Sequence, residues 1–187
     1  CFEYLSRDLL WKACIDSGYP MHVARISMQS YAWPRFILGA YDYCGATVVG
    51  SRGIAAGSAF ATTELKVYLF KLAKAIQLAS GPTTCISIFV DDFSISTVGK
   101  GDEEVAEVIT ATYQKVVQAL KEVQLVVAPD KTELISTSRS LTDLIRVTVP
   151  TSNTGGYCRK LGVDVNYNPG VPVKSKAKHS VRHKWQQ

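Results

Sequence analysis

The sequence predicts an α+β domain, with helices packed on one face of an antiparallel sheet. Three observations point there. Segments with helical spacing and segments of strand-forming residues follow one another irregularly (helix, strands, helix, hairpin, helix, strands), not in the strict alternation of a parallel sheet. The 187 residues are 47% hydrophobic and 20% charged, which suits one packed domain and not a disordered chain. No run of about 18 apolar residues occurs, so no membrane-spanning helix is expected.

Taken in order, residues 3–17 carry Leu5, Leu9, Leu10, Ala13 and Cys14 at helical spacing, with Ser6 as a cap and Gly18 and Pro20 as stop signals. A second helix is expected over 21–31, before Trp33-Pro34. Residues 35–49 are rich in β-branched and aromatic types around Gly39 and Gly45, and read as one or two strands about a turn. The small-residue loop 51–59 leads into a helical pattern over 60–78, which Gly81-Pro82 ends. Two strand-forming runs follow, joined at Asp91-Asp92. Asp102, Glu103 and Glu104 open a strong helix by complementing its dipole, and Val105, Val108, Ile109, Thr112, Val116, Ala119, Leu120 and Val123 form its apolar stripe. Beyond it, Leu125–Ala128 reads as a short strand and Pro129-Asp130-Lys131 as a turn. Leu134–Thr137, Leu144–Val149 and Lys160–Val165 read as strands, with Ser152–Gly156 as a loop.

Charge and cysteine content narrow the function classes. The net charge of +5 resides in residues 174–187, which hold five Lys or Arg and no acid; the rest of the chain is neutral. Such a tail either grips phosphate backbones without reading sequence or is a solvated terminus. The five cysteines show no CxxC pair, so a zinc site is not expected and buried free thiols of an intracellular protein are. No signal peptide is legible, and an opening Cys1 in place of Met suggests a fragment or a processed product. An intracellular location, nuclear or cytoplasmic, is expected, with no membrane partner.

Asp91-Asp92 is the most informative pair. It lies between Ile86–Val90 and Phe93–Ser96, where apolar neighbours imply poor solvation. An unpaired buried charge costs roughly several kcal/mol, so two bare acids at a strand tip call for a divalent cation. The plain alternative is a polar turn, which aspartate favours.

In their order, the motifs resemble the palm of a reverse transcriptase of the kind found in non-LTR retrotransposons and group II introns. Gly53-Ile54-Ala55-Ala56-Gly57-Ser58 before a helix resembles motif B, and Phe89-Val90-Asp91-Asp92 is similar to the [YF]-x-D-D of motif C. Pro129-Asp130-Lys131-Thr132 looks like motif D, Lys160-Leu161-Gly162-Val163 like motif E, and Cys1-Phe2-Glu3 like the tail of motif A. The resemblance covers about residues 1–165. It implies a palm over 1–168 and a basic tail over 169–187.

The resemblance implies RNA-directed DNA polymerisation on an RNA template with a DNA primer and dNTPs, using two Mg²⁺ ions, for which Mn²⁺ can substitute. Further partners are other domains of the same polyprotein. It assigns metal ligation to Asp91, as the bridging ligand, and to Asp92 as a weaker one. Lys131 meets the pyrophosphate leaving group. Phe2 lies under the nucleotide sugar, Gly57 and Ser58 line the approach to nucleotide and template, and Leu161 and Gly162 grip the primer. The loop departs from the family at Ala55, where proline is usual, and at Ala56, where glutamine is usual; altered fidelity or lost activity is the consequence to expect. The first catalytic aspartate would precede Cys1 by four residues, so negligible activity is expected of this chain alone. The competing expectation is a degenerate, silent palm that at most binds nucleic acid. An RNA-dependent RNA polymerase or another palm enzyme is a third, disfavoured by motifs D and E and by Phe2.

Overall fold

Ser6 starts the first long helix as its spacing predicts. Its side chain accepts a hydrogen bond from Leu9 N at 3.4 Å, and α1 runs Arg7–Ser17 until Gly18, at φ 70°, caps it. The chain is seen here in a computed structural model that describes residues 1–36, 38 and 44–151, and the backbone of 153–154, 157–160 and 163–166. Leu161, Gly162 and the basic tail lie outside the described residues. Helix α2 spans Met21–Ala32 and α3 Ala61–Ala79. Strands β1 (Thr84–Phe89) and β2 (Asp92–Thr97) form the expected hairpin, and α4 runs Asp102–Glu122. Then come β3 (Glu133–Leu134), α5 (Arg139–Arg146), β4 (Asn153–Thr154), β5 (Tyr157–Lys160) and β6 (Val163–Asn166).

These elements form two compact units. The first holds Cys1–Val98 and Ala111–Val127; the second holds Gly99–Thr110 and the chain from Ala128 onward. In the first, Leu5, Leu10, Cys14, Ala24, Tyr31, Leu65, Leu69, Val116 and Leu120 build a core from α1, α2, α3 and the second half of α4. Each fully buried leucine contributes roughly 1.5–3 kcal/mol. The hairpin lays one face on this core. Ile86 pairs with Ile95 and Ile88 with Phe93, and all four pack against it. Gln77 of α3 then serves the open edge of β1. Its Nε2 donates to Thr84 O at 2.7 Å, and its Oε1 accepts from Ile86 N at 2.8 Å. A side chain thus takes up two strand groups that a third strand would otherwise satisfy.

In the second unit, Ser138 caps α5 by accepting from Leu141 N at 3.0 Å and donates to Asp102 Oδ2 at 2.6 Å. β3 and β4 pair in parallel, and β5 and β6 pair antiparallel. The α+β class therefore holds. Strand pairing among the described residues is confined to three two-stranded pieces.

Six sequence expectations are corrected, the first being the Ser152–Gly156 loop, whose Asn153 and Thr154 form β4. Leu144–Val149 is not a strand: its branched residues belong to the end of α5 and the turn after it, because Leu141 and Ile145, four apart, bury one helical face. Leu125–Ala128 has no ladder partner among the described residues; Leu125 is buried but Val126 is 92% exposed. Leu134–Thr137 shrinks to two paired residues. Lys160–Val165 is divided between two strands, with Lys160 opposite Val163. Over 35–49, the described residues make only the isolated bridges Arg35–Val48 and Leu38–Cys44.

Candidate active site

The acid pair sits where a two-residue turn reverses the hairpin. Phe89 pairs with Asp92, which leaves Val90 and Asp91 as the turn. Val90 has φ 56° and Asp91 has none of the positive-φ character, the pattern of a type II′ turn, whose first position ordinarily takes glycine. A β-branched residue there costs on the order of 1–3 kcal/mol, so the backbone is strained immediately before Asp91. The buried Ile86–Ile95 and Ile88–Phe93 pairs set the register that enforces this geometry.

Asp91 and Asp92 are both exposed, which corrects the expectation of poor solvation. The apolar residues around them alternate, and the two acids stand beyond the end of the core-facing row. No hydrogen bond or ion pair to a described residue engages either carboxylate. Asp92 shares the solvent side of the hairpin with Cys85, Ser87, Phe89 and Ser96.

A second feature of the same unit is the loop before α3. Gly53 N donates to Leu5 O at 2.8 Å, and Ile54 N to Phe2 O at 2.9 Å, which ties the loop to the N-terminal segment. Phe2 is half-buried against the core in a short 3₁₀ turn, Phe2–Tyr4. Gly53 is buried at φ 82°, and a Cβ there would stand 2.6 Å from Glu3 O. Ser58 N donates to Ala55 O at 3.0 Å, which makes Ala55–Ser58 a turn with Gly57 at its third position, at φ 88°. Ala56 and Gly57 are exposed, and a Cβ on Gly57 would touch nothing. Glycine is thus needed at 57 for its dihedral angle, whereas the tight backbone approach falls at Gly53.

Three side chains that no motif singled out hold this loop. Arg7 donates to four carbonyls: Nε to Gly53 O (2.8 Å), Nη1 to Gly50 O (2.9 Å), and Nη2 to Tyr31 O (2.7 Å) and Arg52 O (3.2 Å). Burial, and Arg35 nearby, lower its pKa. Tyr31 is 1% exposed; its hydroxyl lies 2.7 Å from Glu64 Oε2 and 3.2 Å from Ser58 Oγ. Burial pushes the Tyr31 phenol up to about 12. Glu64 is fully buried, and its Oε1, like Ser27 Oγ, finds no partner among the described residues. Glu64 had one legible signal: it is an acid on the apolar stripe made by Ala61, Leu65, Tyr68, Leu69 and Ile76. Arg7 had none.

Of the remaining expected site residues, one falls in the second unit and two fall outside the described residues. Lys131 belongs to the second unit, exposed in the 3₁₀ turn Pro129–Lys131. Leu161 and Gly162 lie outside the described residues. Phe2, Ala56, Gly57, Ser58, Asp91 and Asp92 all fall in the first unit.

No group of three or more His, Cys, Asp or Glu among the described residues is placed to hold a metal ion. Mg²⁺ asks less of a protein, commonly one or two carboxylates with waters and substrate phosphates for the rest. Two exposed aspartates on the hairpin turn, engaged by no described residue, fit that donor set. No helix among the described residues is long and apolar enough to cross a membrane. Neither a family model, nor a curated protein, nor a solved structure matches the chain.

Proposed function

We propose that the chain is the palm region of an RNA-directed DNA polymerase of a mobile element, with Asp91 and Asp92 as metal ligands. The observation that carries this reading is the hairpin tip. It places two adjacent carboxylates in solvent, with no partner among the described residues, after a strained residue on a register-locked turn. A polar turn of no further use gains nothing from a valine at positive φ; a turn that must aim carboxylates does. Support also comes from the unit's composition. It holds the segments that resemble the motif A tail and motif B, and the acid pair, the first two joined by backbone hydrogen bonds.

A bound Mg²⁺ pair would activate the primer hydroxyl and offset charge on the phosphate oxygens. Asp91 and Asp92 would hold it; the loop through Gly57 and Ser58 would face nucleotide and template, and Phe2 the sugar. Lys131 and the Leu161-Gly162 grip enter this reading on the resemblance alone. The test is primer extension on poly(rA)/oligo(dT) with Mg²⁺ by the intact gene product. Asp91→Asn should abolish dTTP incorporation, and retained activity would refute the metal-ligand role.

A second reading, a silent palm that binds nucleic acid, is favoured by Ala56, an exposed methyl where the family places a glutamine. Tight RNA–DNA hybrid binding by the gene product without any incorporation would select it.

A further inference from the structure

We propose that Tyr31 is the positioning residue of the Gly53–Ser58 loop, joined to both of its ends at once and oriented by the buried Glu64. The proposal rests on reading that loop as the part of a polymerase that meets nucleotide and template.

At one end the link runs through the backbone. Tyr31 O accepts Arg7 Nη2 at 2.7 Å, and the same guanidinium holds Gly50, Arg52 and Gly53 by their carbonyls. Five donors in a fixed planar fork make arginine suited to such a multiple grip. At the other end the link runs through the phenol. A hydroxyl has one proton to give. The shorter contact, 2.7 Å to Glu64 Oε2, takes it, and Ser58 Oγ stands 3.2 Å away as the hydroxyl's second, longer contact. Between these anchors, Ala56 and Gly57 stand exposed. The loop therefore offers solvent a backbone whose shape is set from behind.

Glu64 explains itself only in this role. A carboxyl group with no exposure and one oxygen unmatched among the described residues is a cost that core packing alone does not call for. What an apolar residue cannot do is accept the Tyr31 proton and so fix where its oxygen points. A phenol keeps that proton at neutral pH, and burial here raises its pKa further.

The test uses residue-resolved amide exchange on the 187-residue chain. In Tyr31→Phe, the Ser58 and Ala61 amides should exchange faster by about five- to tenfold, the scale of one buried hydrogen bond. Gly53 and Ile54, held from the Arg7 end, and the 84–97 hairpin should not change. Glu64→Leu, which takes the 2.7 Å acceptor from the buried Tyr31 hydroxyl, should loosen the same two amides, and Glu64→Gln, which keeps an acceptor oxygen, should leave them as in wild type. Unchanged Ser58 and Ala61 exchange in Tyr31→Phe overturns the proposal, as does loosening spread equally over the hairpin. In the intact gene product, Tyr31→Phe should raise the KM for dTTP about tenfold with kcat nearly unchanged. An active enzyme whose KM stays put overturns the positioning role and leaves the polymerase reading standing. If the loop loosens as expected and neither wild type nor variant incorporates dTTP, the polymerase reading fails and the loop anchor survives it.

Discussion

Gly53→Ala should be far more damaging than Gly57→Ala, although both glycines have nearly the same backbone angle. At φ 82° and 88°, an alanine at either site bears a left-handed cost of about 1–2 kcal/mol. At Gly57 the cost ends there, because the new methyl meets open space. At Gly53 the methyl lands 2.6 Å from Glu3 O and 2.8 Å from Glu3 C and Cα. These are backbone atoms and cannot rotate aside. Relief requires the N-terminal segment to move, which stretches the Gly53–Leu5 and Ile54–Phe2 hydrogen bonds at 2.8 and 2.9 Å. Overpacking adds about 1–3 kcal/mol and each of the two weakened bonds up to about 1, for a total of roughly 2–7 kcal/mol. Urea unfolding followed by tryptophan fluorescence reads the difference. With a slope near 2 kcal/mol per molar, the Gly53→Ala midpoint should fall about 0.5–2.5 M below that of Gly57→Ala. Loss of folding by Gly53→Ala alone agrees with the reasoning. Equal midpoints for the two variants would refute it.

Arg7→Lys should lose about 2 kcal/mol of stability, since one ammonium cannot reach four carbonyls on two segments; a lysine variant with the wild-type urea midpoint would contradict the clamp. The phenol of Tyr31 is raised on folding to about 12 from 10.0, so the protein binds more protons folded than unfolded between those values. Stability from this group is present in full below pH 10 and lost as pH climbs through 12; Tyr31→Phe should remove that alkaline component of the unfolding profile, and an unaltered profile would count against the burial of Tyr31. Cys14 is fully buried with its thiol pushed up to about 11, first by desolvation and then by Glu64, whereas Cys1, Cys44 and Cys85 are exposed. Iodoacetamide at pH 8 should therefore alkylate those three in the native protein and leave Cys14 unmodified until denaturant is added, which peptide mass spectrometry would show.

Local order was largely legible. The caps Ser6 and Gly18, the dipole-complementing acids at 102–104 and the break at Gly81-Pro82 act within a few residues, and the helices end where they say. The hairpin was legible for the same reason, since strand runs about a short turn need only neighbours. Reading failed where composition and period disagreed. Leu144–Val149 is rich in branched residues, yet the cap at Ser138 and the Leu141–Ile145 spacing prevailed, because the buried face selects the period. Leu125–Ala128 has strand composition, but a strand needs a partner, and composition does not supply one.

By itself, the sequence determined the α+β character, the four long helices and the presence of two adjacent acids at a hairpin turn. These follow from side-chain sterics, capping and alternation along a short stretch of chain. Tertiary structure alone decided that the acids stand in solvent, that Gly53 and not Gly57 is the tight approach, and that Arg7, Tyr31 and Glu64 hold the loop between them. Those contacts join residues 24 to 46 positions apart. No local preference encodes such pairs; they exist because burying the apolar stripes of α1, α2 and α3 together brings their few polar groups into the same small volume, where each must find a partner.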